Sequence, residues 1–73
     1  MAEELYAPMV GKVIKVLLKA GDAVEEDEPV LVLEALKMEM PVVSPVDGVI
    51  EKICVEAGQE VDSDTLLALI DDD

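Results

Sequence analysis

Histidine and arginine are missing from this sequence, and cysteine occurs once, as Cys54. A lone thiol cannot form an internal disulfide, and without histidine no ligand set typical of a zinc site can be assembled. Ser44 and Ser63 have no candidate base partner for nucleophilic catalysis, and no pair of carboxylates stands out from the many acidic residues. We therefore predict a chain that holds no metal ion and is not itself an enzyme.

Positive charge is scarce: Lys and Arg together number five, against 18 Asp and Glu, and the net charge is −13. Proteins that bind nucleic acids or anionic membranes neutralise phosphates with clustered basic residues, so this composition excludes both classes of partner. No apolar run is long enough to insert into a bilayer, and residues 1–6 resemble neither a signal nor a transit peptide. We expect a cytoplasmic location, or the mitochondrial matrix if the chain is excised from a longer eukaryotic protein.

Aromatic residues amount to 1% of the chain, with Tyr6 the only one, although 52% of the residues are hydrophobic. The core must therefore be aliphatic, and the valines and isoleucines in it favour β-strands. No long segment shows apolar residues at helical spacing. Because 73 residues allow one small core, the sequence predicts one all-β domain over residues 1–73.

One arrangement of residues occurs twice in the chain, because Pro8, Gly11 and Gly21 recur as Pro45, Gly48 and Gly58. The offset is 37 residues in each case. Two β-rich copies are too few for a solenoid, and they predict a small sandwich or flattened barrel whose halves, 7–34 and 44–71, are related by a pseudo-two-fold axis. One long strand is expected at Val10–Leu18. Four glycines are interpreted as structural, serving bends or turns: Gly11, Gly21, Gly48 and Gly58.

Lys37 lies between the two halves, in a segment over residues 35–43 that is predicted to form a β-hairpin. Tight hairpin turns usually contain Asn, Asp or Gly, because their central residues must tolerate positive φ, whereas Ala, Leu, Lys and Met occur here. Lys37 is also the one lysine placed between two large apolar residues, Leu36 and Met38, at a predicted protrusion of the chain. A turn that breaks local preferences while exposing apolar side chains indicates a recognition site.

The segment Glu34–Glu39, with Pro8-Met9-x-Gly11 before it and Pro45-x-x-Gly48 after it, resembles the biotinyl domain of the biotin/lipoyl attachment family. The resemblance covers nearly the whole chain. The family's motif is Glu-Ala-Met-Lys-Met, and here Leu36, which is apolar and close to methionine in volume, replaces the first methionine. The resemblance implies that Lys37 is the covalent attachment site of biotin. It also implies that a ligase recognises Glu34, Ala35, Leu36, Met38 and Glu39.

The resemblance further implies a flattened barrel-sandwich hybrid of two four-stranded antiparallel sheets, with the Lys37 hairpin at the end opposite both termini. The implied function is that of a biotin carboxyl carrier, which moves carboxybiotin on Lys37 between biotin carboxylase and carboxyltransferase or decarboxylase sites. The implied partners are biotin protein ligase, biotin carboxylase, and a carboxyltransferase or decarboxylase subunit. The domain itself would be a non-catalytic component of such an enzyme.

Two alternative functions share this fold. A lipoyl carrier domain of a 2-oxo acid dehydrogenase-type complex also exposes one lysine, but typically with Asp before it and Ala after it, where this chain has Leu36 and Met38. An unmodified barrel-sandwich adaptor usually carries a helical hairpin inserted at the tip, and residues 35–43 leave no room for one. The residues beside Lys37 favour biotin.

Overall fold

The computed structural model describes residues 2–72, which form eight β-strands and no helix. Consequently no helix in that part of the chain could cross a membrane. The strands, numbered in chain order, are β1 Ala2–Tyr6, β2 Gly11–Val16, β3 Ala23–Val24, β4 Pro29–Ala35, β5 Met38–Val43, β6 Gly48–Ile53, β7 Glu60–Val61 and β8 Leu66–Asp71.

The strands form two four-stranded sheets, one in the order β1-β8-β6-β3 and the other in the order β5-β4-β2-β7. Every neighbouring pair is antiparallel. The prediction of an all-β fold with two four-stranded antiparallel sheets is therefore confirmed.

The 37-residue repeat is visible in the hydrogen bonding as well as in the sequence. Adding 37 converts β1 to β4 into β5 to β8 and converts one sheet order into the other. The register follows: Lys12 pairs with Glu34 in one sheet, and Val49 pairs with Asp71 in the other. Each sheet contains strands from both halves, so the halves interlock rather than lie side by side. The correspondence includes β1 and β5, which extend it beyond the ranges 7–34 and 44–71.

The core lies between the sheets and is aliphatic, as the composition predicted. Leu31 and Leu33 in β4, and Leu67 and Ile70 in β8, are fully buried there. Burying a side chain of this size contributes about 1.5–3 kcal/mol. The sole aromatic residue lies outside the core: Tyr6 is exposed, and its hydroxyl donates a 3.2 Å hydrogen bond to Glu4, which raises the pKa of the phenol.

Glycines allow the strands to approach one another closely at equivalent places in the two halves. A Cβ on Gly11 would lie 2.7 Å from the backbone oxygen of Glu34, and a Cβ on Gly48 would overlap the backbone oxygen of Asp71. Gly21 and Gly58 lie in turns instead, with φ of 96° and 94°. The absence of a side chain at Gly11 thus allows β2 to lie close to β4 at Glu34, one residue before β4 ends at the hairpin.

Candidate functional site

The hairpin between β4 and β5 is a two-residue turn made of Leu36 and Lys37. Ala35 pairs with Met38 as the last pair of the two strands. Leu36 has φ of 55° and Lys37 has φ of 63°, so both adopt the left-handed conformation that such a turn requires. For an L-residue this conformation costs about 1–2 kcal/mol. The turn therefore has the positive φ angles expected from its length, with residues that are poorly suited to them.

Beyond the buried Ala35, the side chains at the tip are exposed. Ala35 is buried and anchors the end of β4, whereas Lys37 is exposed. Leu36 is 80% exposed and Met38 is 67% exposed, on either side of the lysine. The amine is therefore available to a reagent, and it projects from an apolar rather than a polar surface.

A row of exposed charges crosses the sheet just below the tip. The register places Glu39 opposite Glu34, Glu34 opposite Lys12, and Lys12 opposite Glu60. Like charges directly opposite each other, as in Glu34 and Glu39, destabilise a strand pair. The equivalent row in the other sheet is formed by Ala2, Asp71, Val49 and Ala23, of which only Asp71 is charged. The row of charges is therefore a feature of the Lys37 end that the fold itself does not require.

The structure brings together all five residues that were predicted to be recognised by a ligase. Leu36 and Met38 flank the lysine, while Glu34 and Glu39 form the pair of opposed carboxylates beneath it. Ala35 contributes differently, because its side chain is buried under the turn. These assignments remain predictions, and their geometry is consistent with one contiguous surface.

Val10 also lies at the tip, and the sequence interpretation did not include it. It is 72% exposed and lines a shallow groove together with Ala35 and Leu36. The internal repeat could have identified Val10 from the sequence, because the equivalent position in the second half is occupied by Asp47. An apolar residue aligned with an acidic one shows that the fold does not require the same kind of side chain at both positions.

The hairpin and the strand pair formed by Ala2 and Asp71 lie at opposite ends of a molecule about 35 Å long. Ala2 pairs with Asp71 at the beginning of β1, and from there the chain runs toward Val10 beside the tip. In residues 2–72 no group of His, Cys, Asp and Glu side chains could hold a metal ion, and Cys54 is a free, half-buried thiol. Among the described residues, exposure, positive φ and large apolar side chains coincide at the tip.

Comparison with known proteins gives the family. The profile of the family described as biotin-requiring enzymes matches residues 3–70. The chain belongs to this family. It is 50% identical over 68 residues to the biotin carboxyl carrier protein of acetyl-CoA carboxylase from Solanum lycopersicum, covering 92% of this chain and 97% of that protein.

Other members of the biotin-requiring family contain the domain within much longer chains. The mitochondrial methylcrotonoyl-CoA carboxylase subunit alpha of Oryza sativa subsp. japonica is 49% identical over 63 residues, which are 86% of this chain and 8% of that protein. The urea carboxylase structure from Kluyveromyces lactis superposes with a TM-score of 0.91 at 35% identity, over 97% of this chain and 6% of that one. These matches confirm the predicted family and fold, and they confirm biotin as the cofactor.

The lipoyl domain of the 2-oxoglutarate dehydrogenase complex from Azotobacter vinelandii also has this fold. Its TM-score is 0.78 at 32% identity, over 93% of this chain and 94% of that one. The backbone is thus common to both kinds of carrier. The fold therefore does not separate the two kinds of carrier, and the assignment of Leu36 and Met38 as the residues that favour biotin stays a prediction.

Proposed function

We propose that this domain carries biotin on the Nζ atom of Lys37 and acts as the carboxyl carrier of a biotin-dependent carboxylase, transcarboxylase or decarboxylase. One observation carries the proposal: Lys37 occupies a left-handed turn position at the exposed tip, between the exposed side chains of Leu36 and Met38. A primary amine in this position fits the group, because biotin is attached through its carboxyl carbon and needs only an accessible nitrogen.

The attachment reaction requires a partner. The Nζ atom attacks the carboxyl carbon of biotinyl-AMP, a C–N amide bond forms, the C–O bond to AMP breaks, and the amine loses a proton. Lysine amines are mostly protonated at neutral pH and are therefore weak nucleophiles. The second reactant and the base come from biotin protein ligase, for which the hairpin is the substrate.

Once attached, biotin supplies a ureido nitrogen that accepts and releases a carboxyl group. The chain contributes position: the paired ends of β4 and β5 hold Lys37 at one end of the domain, and the core lies behind it. A tethered substrate meets each partner site at a high effective concentration, provided that the tether reaches both. We propose biotin carboxylase and a carboxyltransferase or decarboxylase subunit as these partners, with catalysis residing in them.

Labelling identifies the attachment residue. The domain is co-expressed with a biotin protein ligase and examined by streptavidin blot and intact mass. We expect one biotinyl group on the parent, one on the matched control Lys52→Ala, and none on Lys37→Ala or Lys37→Arg. A label that persists in both Lys37 variants contradicts the site, and a lipoyl mass on protein from its natural source contradicts the cofactor.

A further inference from the structure

We propose that Val10 is a recognition residue for the enzyme that acylates Lys37, and that this enzyme presents an apolar rim to it. Val10, Leu36 and Met38 have exposed fractions of 72%, 80% and 67%, the three highest among the exposed large hydrophobic residues of the described chain. Val10 and Leu36 come from two separate segments and line the same groove at the tip, and Met38 follows Lys37 in the hairpin. This inference rests on the proposed function and extends its recognition surface beyond the hairpin.

The internal repeat shows what the fold alone requires at this position. Val10 precedes Gly11 as Asp47 precedes Gly48, 37 residues later. At the far end of the molecule, the Asp47 Oδ1 atom accepts a 2.7 Å hydrogen bond from the backbone N–H of Glu26. That bond ties the loop before β6 to the turn before β4.

The equivalent bond cannot form at the Lys37 end. The residue equivalent to Glu26 is Ser63, and the side chain of Val10 has no atom that could accept a hydrogen bond from its N–H. Val10 therefore contributes neither this bond nor a buried apolar contact, since most of its surface faces solvent. A position that gives up a stabilising interaction to expose an apolar side chain is explained by contact with a partner.

The acylating enzyme fits this surface better than the carboxylase partners do. It reacts at Nζ, so its active site must close around the lysine and contact the side chains beside it. The carboxylase sites instead receive the ring at the far end of the arm, away from Val10. Apolar contacts around one exposed amine also suit a partner that has to exclude water from the acylation step.

Substitutions at the two equivalent positions separate recognition from stability. Val10→Asn supplies an acceptor for Ser63 N–H and removes the apolar surface. We expect its kcat/KM in ligation to fall at least fivefold, mainly through KM, while its thermal midpoint stays equal to or above that of the parent. The matched control Asp47→Val loses the bond to Glu26, so its midpoint falls while kcat/KM is unchanged. Val10→Leu keeps the apolar contact and is ligated like the parent.

Each outcome has a definite consequence. Equal ligation of Val10→Asn and the parent, with label on Lys37 in both, overturns the role of Val10 and leaves the proposed function intact. The same result with slower carboxylation of the attached group assigns Val10 to a carboxylase partner and also overturns the proposal. A parent that takes no label on Lys37 overturns the proposed function and this inference together.

Discussion

Leu36 occupies a position that is unfavourable for the stability of the fold. Its left-handed conformation suits glycine or asparagine, and its side chain is 80% exposed, so it gains neither a relaxed backbone nor burial. The strain is tolerated because the paired strands β4 and β5 fix the turn from both sides. Such a residue is expected where binding, not stability, determines the choice of side chain.

Replacing Leu36 by glycine tests this balance. Leu36→Gly removes the steric cost of the positive φ, and we expect the free energy of unfolding in urea to rise by about 0.5–1 kcal/mol. Ligation is expected to slow, because an apolar contact is lost. Met38→Gly is the control: it removes a similar side chain from a strand, where glycine lowers stability by about 0.5–1 kcal/mol. A Leu36→Gly protein less stable than the parent would show that the turn is not strained.

The sequence indicated Lys37 and its neighbours because residues 35–38 break turn preferences at four consecutive positions. The positive φ angles followed from the shortness of the loop. Val10 was not predicted, because its relation to Lys37 depends on how a loop 27 residues earlier packs beside β4. Hydrophobic periodicity reports which face of a strand is buried and carries no information on which distant loop lies beside its end.

At the scale of the elements, the long strands were easier to predict than the short ones. The sequence indicated a strand over Val10–Leu18, whereas β2 spans Gly11–Val16. Its pairing with β4 is interrupted by a bulge at Ile14, and the bulge recurs at Glu51 in β6. The two-residue strands β3 and β7 could not be predicted, because two residues are too few to show an alternating pattern.

The glycine contacts give a prediction for the strands. Alanine at Gly11 or Gly48 forces a Cβ into the carbonyl oxygen of the neighbouring strand, and we expect each variant to lose about 1–3 kcal/mol in urea unfolding, with Gly48→Ala the more affected. Gly11→Ala should also slow ligation, because Gly11 seats β2 beside the end of β4. Gly21→Ala is the control: its Cβ meets no atom within 4 Å, so its cost comes from φ alone. Equal losses in all three would contradict the steric explanation.

At the scale of the whole molecule, charge opposes compactness. A net charge of −13 is confined to a body 35 Å long, and at about 0.01 M salt the screening length is about 30 Å, so the carboxylates repel one another across the domain. The acidic turn at Glu25–Asp27 is fully on the surface, where added ions can screen it. The stability of this domain should therefore depend strongly on salt.

We expect the thermal midpoint to rise by about 5 °C between low salt and about 0.5 M NaCl, which corresponds to about 1 kcal/mol for a domain of this size. The measurement is circular dichroism during heating. A variant carrying Glu26→Gln, Glu51→Gln and Glu56→Gln, which removes three negative charges, should begin at a higher midpoint and respond less to salt. Identical salt responses in the two proteins would indicate a salt effect that does not depend on charge.

The exchange of strands between the two halves also bears on how such a molecule could be assembled. Because adding 37 turns one sheet into the other, two separate copies of a single half would complete both sheets by pairing as a symmetric dimer. In that dimer the place now held by Leu36 and Lys37 would be a gap between the end of one chain and the start of the next. Lys37 thus lies in the two-residue segment that links the two halves covalently. The link is present at this end of the molecule and has no counterpart at the other end, so the symmetry of the two halves is broken here.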